Sequence, residues 1–146
     1  MSGDPGEARP ELPETFGVQL PEVPVTPPGP QSLELARRLS QVESRNVTYL
    51  APSFPVFWDA ARGANVRDVD GNVFLDLTAA FGVSVAGHGN SHVVEEIHGQ
   101  ADRLIHGMGD VHPPAPKVEF LEALSAVAPW PDARAVSYTH LRAHET

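Results

Sequence analysis

The stretch APSFPVFWDAARGANVRDVDGNVFLDL contains the turn signals that most restrict how this chain folds. Aromatic and β-branched residues, which favour strands, flank two glycine-containing turns, Arg62-Gly63 and Asp70-Gly71-Asn72. Glycine adopts the positive φ of a tight hairpin turn without steric cost. The pattern therefore predicts two strands joined across Asp70-Gly71 by a tight primed turn.

Residues 1–30 form a proline-rich leader with little apolar content. Eight of the fifteen prolines lie here, together with five acidic residues and a single basic one, Arg9. Prolines remove backbone donors, and so few apolar side chains cannot offset the entropy lost on ordering. We predict an extended or disordered leader. The run PEVPVTPPGP leaves an alternative open, in which a PxxP segment makes the protein an interaction module without catalysis.

Three later segments have the apolar spacing of helices. The first begins in QSLELARRLSQVES, where Ser32 is the expected cap, and ends near Asn46. The second covers residues 91–106, and the third covers residues 116–127 with Pro116 in its first turn. The predicted order is leader, helix, hairpin, helix and helix.

Composition and charge exclude several classes of protein. The net charge of −9 and the isoelectric point near 5.1 argue against a duplex nucleic-acid binder, because phosphate binding needs clustered lysine and arginine. No apolar run approaches the roughly 20 residues that span a bilayer, and the first residues lack a secretory pattern. The absence of cysteine excludes disulfides, a thiolate nucleophile and cysteine-ligated metals. We expect a cytoplasmic protein that binds neither nucleic acid nor membranes.

The run DVDGNVFLDLTAAFGVSVAGHGNSHVVEEIHGQADRLIH is similar to the N-terminal segment of the class III aminotransferases, and the resemblance covers about residues 31–135. The sequence departs from the family pattern at Ala79-Ala80, where glycine is common, and at Asn90-Ser91, where His-Pro is usual. The residues that match the pattern in order are Asp68, Asp70, Gly71, Asn72, Phe74, Leu75, Asp76, Gly87, His88, Val93, Val94, Ile97, Gln100 and His106.

The resemblance implies an α/β fold and a pyridoxal-phosphate chemistry. The chain would be an N-terminal fragment of a fold type I transferase, comprising a small-domain helix and hairpin and the start of the large domain. The intact parent would bind pyridoxal 5′-phosphate and move an amino group from an amino donor to a 2-oxo acid. It would also form a homodimer.

The resemblance further implies two substrate-binding residues in this chain. Phe81 matches a position that packs on the substrate in the family, and Asp110 follows a helix end that reaches the same pocket. From the residues alone, Phe81 is equally well a core aromatic and Asp110 an ordinary loop acid. In the family, the phosphate loop, the aspartate that pairs with the cofactor and the Schiff-base lysine come after the position of Ala135. Lys117, the only lysine, is interpreted as a surface residue, so we expect no catalytic or cofactor-binding residue and no activity from this chain alone.

The histidines allow a second alternative, a module that binds a divalent metal ion. Imidazole and carboxylate are ordinary metal ligands, although no complete metal signature is present. The residues in this hypothesis are His88, His92, His98, His106, His112 and Asp110.

The ending VSYTHLRAHET, residues 136–146, is unlike the family pattern. All eleven residues resemble the translation of a widely used transposase sequencing adaptor in one reading frame. We therefore predict a disordered leader over 1–30, an aminotransferase segment over 31–135 and a non-native tail over 136–146. His140 and His144 beside Ser137 would then be neither a metal site nor a hydrolytic site.

Overall fold

The computed structural model describes residues 12–44, 47, 48, 51, 54–108 and 111–134. The chain divides into two compact units, Met1–Ile97 and His98–Thr146. Helices are combined with a small antiparallel sheet, which agrees with the expected α/β fragment of a class III aminotransferase fold. The elements in chain order are α1 (Pro30–Val42), β1 (Trp58–Arg62), β2 (Asn65–Asp68), β3 (Val73–Leu75), α2 (Ala79–Gly82), α3 (Ser91–Arg103) and α4 (Ala115–Val127).

The predicted hairpin is confirmed as β2 and β3, and β1 adds a third antiparallel strand beside β2. The connection across Asp70-Gly71 is wider than the two-residue primed turn that we expected. The Asp68 N–H donates to the Asn72 carbonyl at 2.9 Å, which leaves a three-residue loop. Within that loop only Gly71 has a positive φ, +90°, and hairpin loops of this length place one glycine in the left-handed region.

Buried polar side chains close this hairpin loop. Asp68 and Asn72 are 2% and 0% exposed. One carboxylate oxygen of Asp68 accepts the N–H groups of Asp70 at 3.0 Å and Asn72 at 2.8 Å, and the other accepts the Asn72 amide at 2.8 Å. Short polar side chains fix turns in this way by bonding to nearby backbone. The remaining acid of the loop, Asp70, is therefore available to another element.

Asp70 caps the first helix from a distance in the sequence. Its carboxylate accepts the N–H of Gln31 at 2.7 Å and of Ser32 at 2.9 Å, two amides that have no partner within the helix. The helix begins at Pro30 after Gly29, so Ser32 lies inside the first turn. The prediction that Ser32 is the cap is wrong. A Cβ on Gly29 would overlap the Asp70 side chain, so this approach requires glycine.

Helices α1 and α3 both end earlier than we expected. Helix α1 ends at Val42, because Glu43 is already extended, whereas we expected an end near Asn46, which lies outside the described residues. Helix α3 begins at Ser91 as predicted, with the Asn90 side chain accepting two of its amides, and ends at Arg103 instead of 106. Helix α4 agrees with its predicted bounds within one residue.

Part of the proline-rich leader is ordered against the sheet. Phe16 is 2% exposed, and the N–H groups of Gly17 and Gln19 donate to the Asn65 side chain at 2.8 and 3.0 Å. Glu22 pairs with Val73 at the edge of β3. The prediction of disorder is therefore wrong for residues 12–29, whereas residues 1–11 lie outside the described part. Composition could not indicate this order, because the partners are buried side chains far along the chain.

No helix in the described ranges has both the length and the apolar character that crossing a bilayer requires.

Candidate functional site

Asp76, which directly follows β3, organises the segment that contains Phe81. Its Oδ1 accepts the backbone N–H and the hydroxyl of Thr78 at 2.9 and 2.7 Å. Its Oδ2 accepts the N–H of Ala80 and Nε2–H of His88, both at 2.8 Å. The side chain is 4% exposed. Four donors occupy a group whose ionised form only accepts hydrogen bonds.

These donors stabilise the ionised carboxylate. The hydrogen bond from His88, followed by that from Thr78, lowers the pKa of the Asp76 carboxyl well below its ordinary value, and these bonds outweigh burial, which acts in the opposite direction. Asp76 is thus an anion at neutral pH and has no proton to donate. Its chemistry is to orient the groups around it.

His88 is fixed on three sides. The hydrogen bond to Asp76 places a proton on Nε2, which defines the tautomer of the neutral ring. The backbone of His88 exchanges two hydrogen bonds with Gly63, at 2.8 and 2.9 Å. The ring also meets Trp58 edge to face, with 5.9 Å between centroids. The imidazole therefore has a defined orientation before any ligand binds.

Both ends of the segment between Asp76 and His88 are attached to the turn that joins β1 and β2. The Asp76 N–H donates to the Ala64 carbonyl at 2.9 Å, beside the pairing of His88 with Gly63. Residues 77–87 therefore form a closed surface loop whose ends are close together, a geometry that is frequently functional. We call residues 77–87 the clasped loop.

The short element α2, which lies within the clasped loop, is a left-handed turn. Ala79, Ala80 and Phe81 have φ values of 49°, 48° and 57°. For residues other than glycine, left-handed helical geometry costs about 1–2 kcal/mol each. Ala79 and Ala80 are the positions where glycine is common in the aminotransferase pattern, which accounts for that preference. With alanine here, the turn persists only if the surroundings impose it.

Phe81 projects from this turn and is 99% exposed. Phe81 is therefore not part of the core formed by the described residues. Leu77, Val83 and Val85 of the clasped loop are also largely exposed. The substrate-binding role of Phe81 stays a prediction, and so does that of Asp110, which lies outside the described residues.

A cleft of about 330 Å³ lies at the base of the clasped loop. Its lining, among the residues that the structure describes, consists of Gly63, Ala64, Asp76, Ala79 and residues 84–88. None of these is a lysine or an arginine. The one acid, Asp76, gives the wall a negative charge. Without lysine or arginine, and with its carboxylate already bonded to four protein donors, this lining offers little attraction to a phosphate group.

Within the described ranges, no three histidine, aspartate or glutamate side chains come close enough to hold a metal ion. Of the residues in the metal hypothesis, His88 is already bonded to Asp76. Asp110 lies outside the described residues, as do His140 and His144 of the tail.

Sequence reasoning missed the roles of Asp76 and Asn65. Asp76 was matched to the family pattern without a function, although an aspartate two residues before Thr78 has the spacing of a local side-chain turn. Asn65 is fully buried and holds the leader, but its partners Gly17 and Gln19 are 48 and 46 positions away. No local signal indicates contacts at that separation.

Comparison with known proteins identifies the family. The model of the family described as aminotransferase class-III matches residues 48–142, which is 95 of the 146 residues. The chain belongs to the class III aminotransferase family. The match includes the whole clasped loop. The last seven residues of the match, 136–142, overlap the segment that resembles a sequencing adaptor.

The names of curated relatives of this chain describe several activities. The 4-aminobutyrate aminotransferase of Mycobacterium leprae is 34% identical over 102 residues, which cover 70% of this chain and 22% of that protein. The alanine/serine racemase of Pyrococcus horikoshii is 30% identical over 65% of this chain and 20% of its own length. The acetylornithine aminotransferase of Archaeoglobus fulgidus is 39% identical over 48% of this chain and 18% of its own length. The chain spans about a fifth of the length of these relatives.

Proposed function

We propose that this chain is the N-terminal part of a pyridoxal-phosphate-dependent aminotransferase. The intact parent transfers an amino group from a donor to a 2-oxo acid. The observation that carries the proposal is the family match over residues 48–142, which includes the clasped loop. Similarity to proteins named as 4-aminobutyrate and acetylornithine aminotransferases supports amino transfer as the reaction.

The lining of the cleft beneath the clasped loop does not fit pyridoxal phosphate. A lysine would hold the cofactor, which would supply an electron sink for the amino substrate, and its phosphate would need amide or cationic partners. The cleft beneath the clasped loop offers the Asp76 carboxylate instead. Lys117, the single lysine of the sequence, lies in the first turn of α4. No catalytic step is therefore assigned to this chain, and we propose that it is inactive alone.

The genomic DNA that follows the codon for Ala135 tests the proposal directly. We expect an open reading frame that encodes a Ser-Gly or Thr-Gly pair opening a helix and, further on, a lysine after a strand. Residues 136–146, which we propose to be adaptor-derived, should be absent from that frame. A frame that continues as VSYTHLRAHET would contradict the adaptor origin of residues 136–146. A frame that lacks a later lysine would contradict the aminotransferase parent.

A second experiment examines the chain alone. Native protein is incubated with pyridoxal phosphate and reduced with borohydride, and the adducts are located by mass spectrometry. Denatured protein is the matched control. We expect no more labelling of Lys117 in the native chain than in the denatured one. Stoichiometric labelling of the native chain only would show a built cofactor site and overturn the proposed inactivity.

The racemase among the relatives defines the competing activity. The intact parent is given an L-amino acid with and without a 2-oxo acid. Amino transfer requires the 2-oxo acid and consumes it, whereas racemisation proceeds without it and yields the D-amino acid. We expect the first result.

We also propose that the parent is a cytoplasmic homodimer that binds small molecules and neither nucleic acid nor membranes. The net charge of −9 of this chain supports the exclusion of nucleic acid. Analytical ultracentrifugation of the intact parent should give twice the mass of its chain, and a monomer with full activity would contradict the dimer.

The alternative of a proline-rich interaction module is not favoured, because Gly17, Gln19 and Val25 of the leader are bonded to the hairpin.

A further inference from the structure

The left-handed turn of the clasped loop must be held by contacts outside it. Ala79, Ala80 and Phe81 are three consecutive residues with positive φ, a conformation that L side chains disfavour. The backbone bonds from Gly82 to Thr78 and from Ser84 to Ala79, at 3.0 and 2.9 Å, join residues of the loop to each other. They do not attach it to the rest of the sheet unit.

The contacts that attach the turn converge on Asp76. Oδ2 accepts the N–H of Ala80 in the middle of the strained run, and Oδ1 accepts both donors of Thr78 just before it. His88 donates to Oδ2 from the opposite end of the clasped loop. Because the backbones of Asp76 and His88 are bonded to Ala64 and Gly63, the carboxylate joins the turn to the sheet.

The direction of the Phe81 ring depends on this backbone. A buried aromatic is positioned by its neighbours, but Phe81 is 99% exposed, so packing contributes little to its position. The turn therefore determines where the ring lies.

We propose that Asp76 is a positioning residue that, with His88, holds the left-handed turn and so fixes where Phe81 is presented. The inference rests on the proposed function and on the substrate-binding role predicted for Phe81, and it names the group that places this side chain. All four hydrogen bonds of Asp76 go to the protein, so Asp76 acts through the turn. When a group is already held in its binding position, less conformational entropy is lost on ligand binding.

Limited proteolysis of the full chain with chymotrypsin tests the proposal. The enzyme cuts after aromatic residues that can become extended, so cleavage of the Phe81–Gly82 bond reports opening of the turn. Asp76→Asn leaves one acceptor oxygen, so the amide nitrogen faces either the two donors of Thr78 or those of Ala80 and His88, and the carboxylate's hold on the turn is weakened in both cases. We expect the cleavage rate at Phe81 to rise about tenfold, the usual consequence of losing hydrogen bonds to an ionised group. Asp59→Asn, which removes an exposed carboxylate paired with Arg67, is the control and should leave this rate unchanged.

A second substitution separates positioning of the turn from general destabilisation. Ala80→Gly, added to Asp76→Asn, should return the rate towards that of the original chain, because glycine adopts positive φ without penalty. Ala86→Gly, at a residue of the same loop without positive φ, should not. Equal effects of the two glycines, or an unchanged rate in Asp76→Asn, would overturn the proposal.

If Asp76→Asn unfolds the chain and cleavage rises at every site, Thr78→Val replaces it. This change removes one of the four donors, and we expect a smaller rise that is confined to Phe81. A uniform rise, or none, would again count against the positioning role. The assay uses neither substrate nor cofactor, so its failure leaves the aminotransferase proposal standing, and that proposal fails separately if the downstream DNA encodes no lysine.

Discussion

Asp70 is the residue through which the hairpin holds the first helix. Asp68 and Asn72 close the hairpin loop by hydrogen bonds to each other, and the Asp70 carboxylate accepts hydrogen bonds from two amides of α1. We expect Asp70→Ala to lower the free energy of unfolding by about 1–2 kcal/mol, the usual cost of losing a helix cap. Thermal unfolding followed by circular dichroism measures the change.

Ser32→Ala is the matched control for this prediction. The Ser32 hydroxyl is fully buried near the Asp70 carboxylate and makes no hydrogen bond of normal geometry to the described residues. Removing a hydroxyl that makes no well-formed hydrogen bond should cost less than removing the carboxylate that accepts two amides of the helix. If Ser32→Ala were the more damaging of the two substitutions, the serine would be the cap and the geometry at Asp70 would be incidental.

Asp76 makes the stability of the sheet unit depend on acid pH. Its pKa is lower in the folded chain than the ordinary value of 3.8, so the folded form favours the ionised group. The resulting stabilisation is fully present above that ordinary value and is lost as the pH falls below it. We expect the difference in unfolding free energy between the original chain and Asp76→Asn to be constant above about pH 5 and to shrink as the pH falls below about 4. Urea unfolding at a series of pH values measures it, and a constant difference would contradict the assignment.

At the scale of the element, the leader acts as a part of the sheet. Phe16 is one of three buried apolar residues in the described ranges, with Val66 and Val73. We expect Phe16→Ala to destabilise the chain by about 3 kcal/mol, as for other buried aromatics. Val18→Ala, two residues on and 90% exposed, should change stability by less than about 0.5 kcal/mol. Chemical denaturation of the two variants compares them, and equal small effects would restore the prediction of a disordered leader.

Local patterns were sufficient for the hairpin, for the start of α3 and for α4, because each is specified by neighbours in the sequence. The family resemblance also identified the segment that contains the clasped loop. The cap of α1, the ordered leader and the network at Asp76 depend on partners that lie far apart, such as Asp70 with Gln31 and Asn65 with Gly17. Spacing rules describe one element at a time. They therefore miss the bonds that join elements, and in this chain those bonds build the site.

At the scale of the whole molecule, burial is distributed unevenly. The three buried apolar residues of the described ranges all belong to the unit Met1–Ile97. Helix α4 has no buried residue, and Val118, Phe120 and Leu124 are 40–57% exposed. Large exposed apolar surfaces favour association with other molecules.

The two units should therefore differ in how readily their backbones open. A helix without a packed face is only marginally stable in water at 13 residues, the length of α4. In hydrogen exchange followed by mass spectrometry, we expect amides of α4 to exchange at least about tenfold faster than those of β2 in the same dilute sample. The strand is the internal control, since both segments experience the same solvent and temperature. Raising the protein concentration should slow exchange in α4 before it affects β2, because association would cover the exposed apolar side chains. Strong protection of α4 in dilute solution would mean that its apolar side chains are already covered within the monomer.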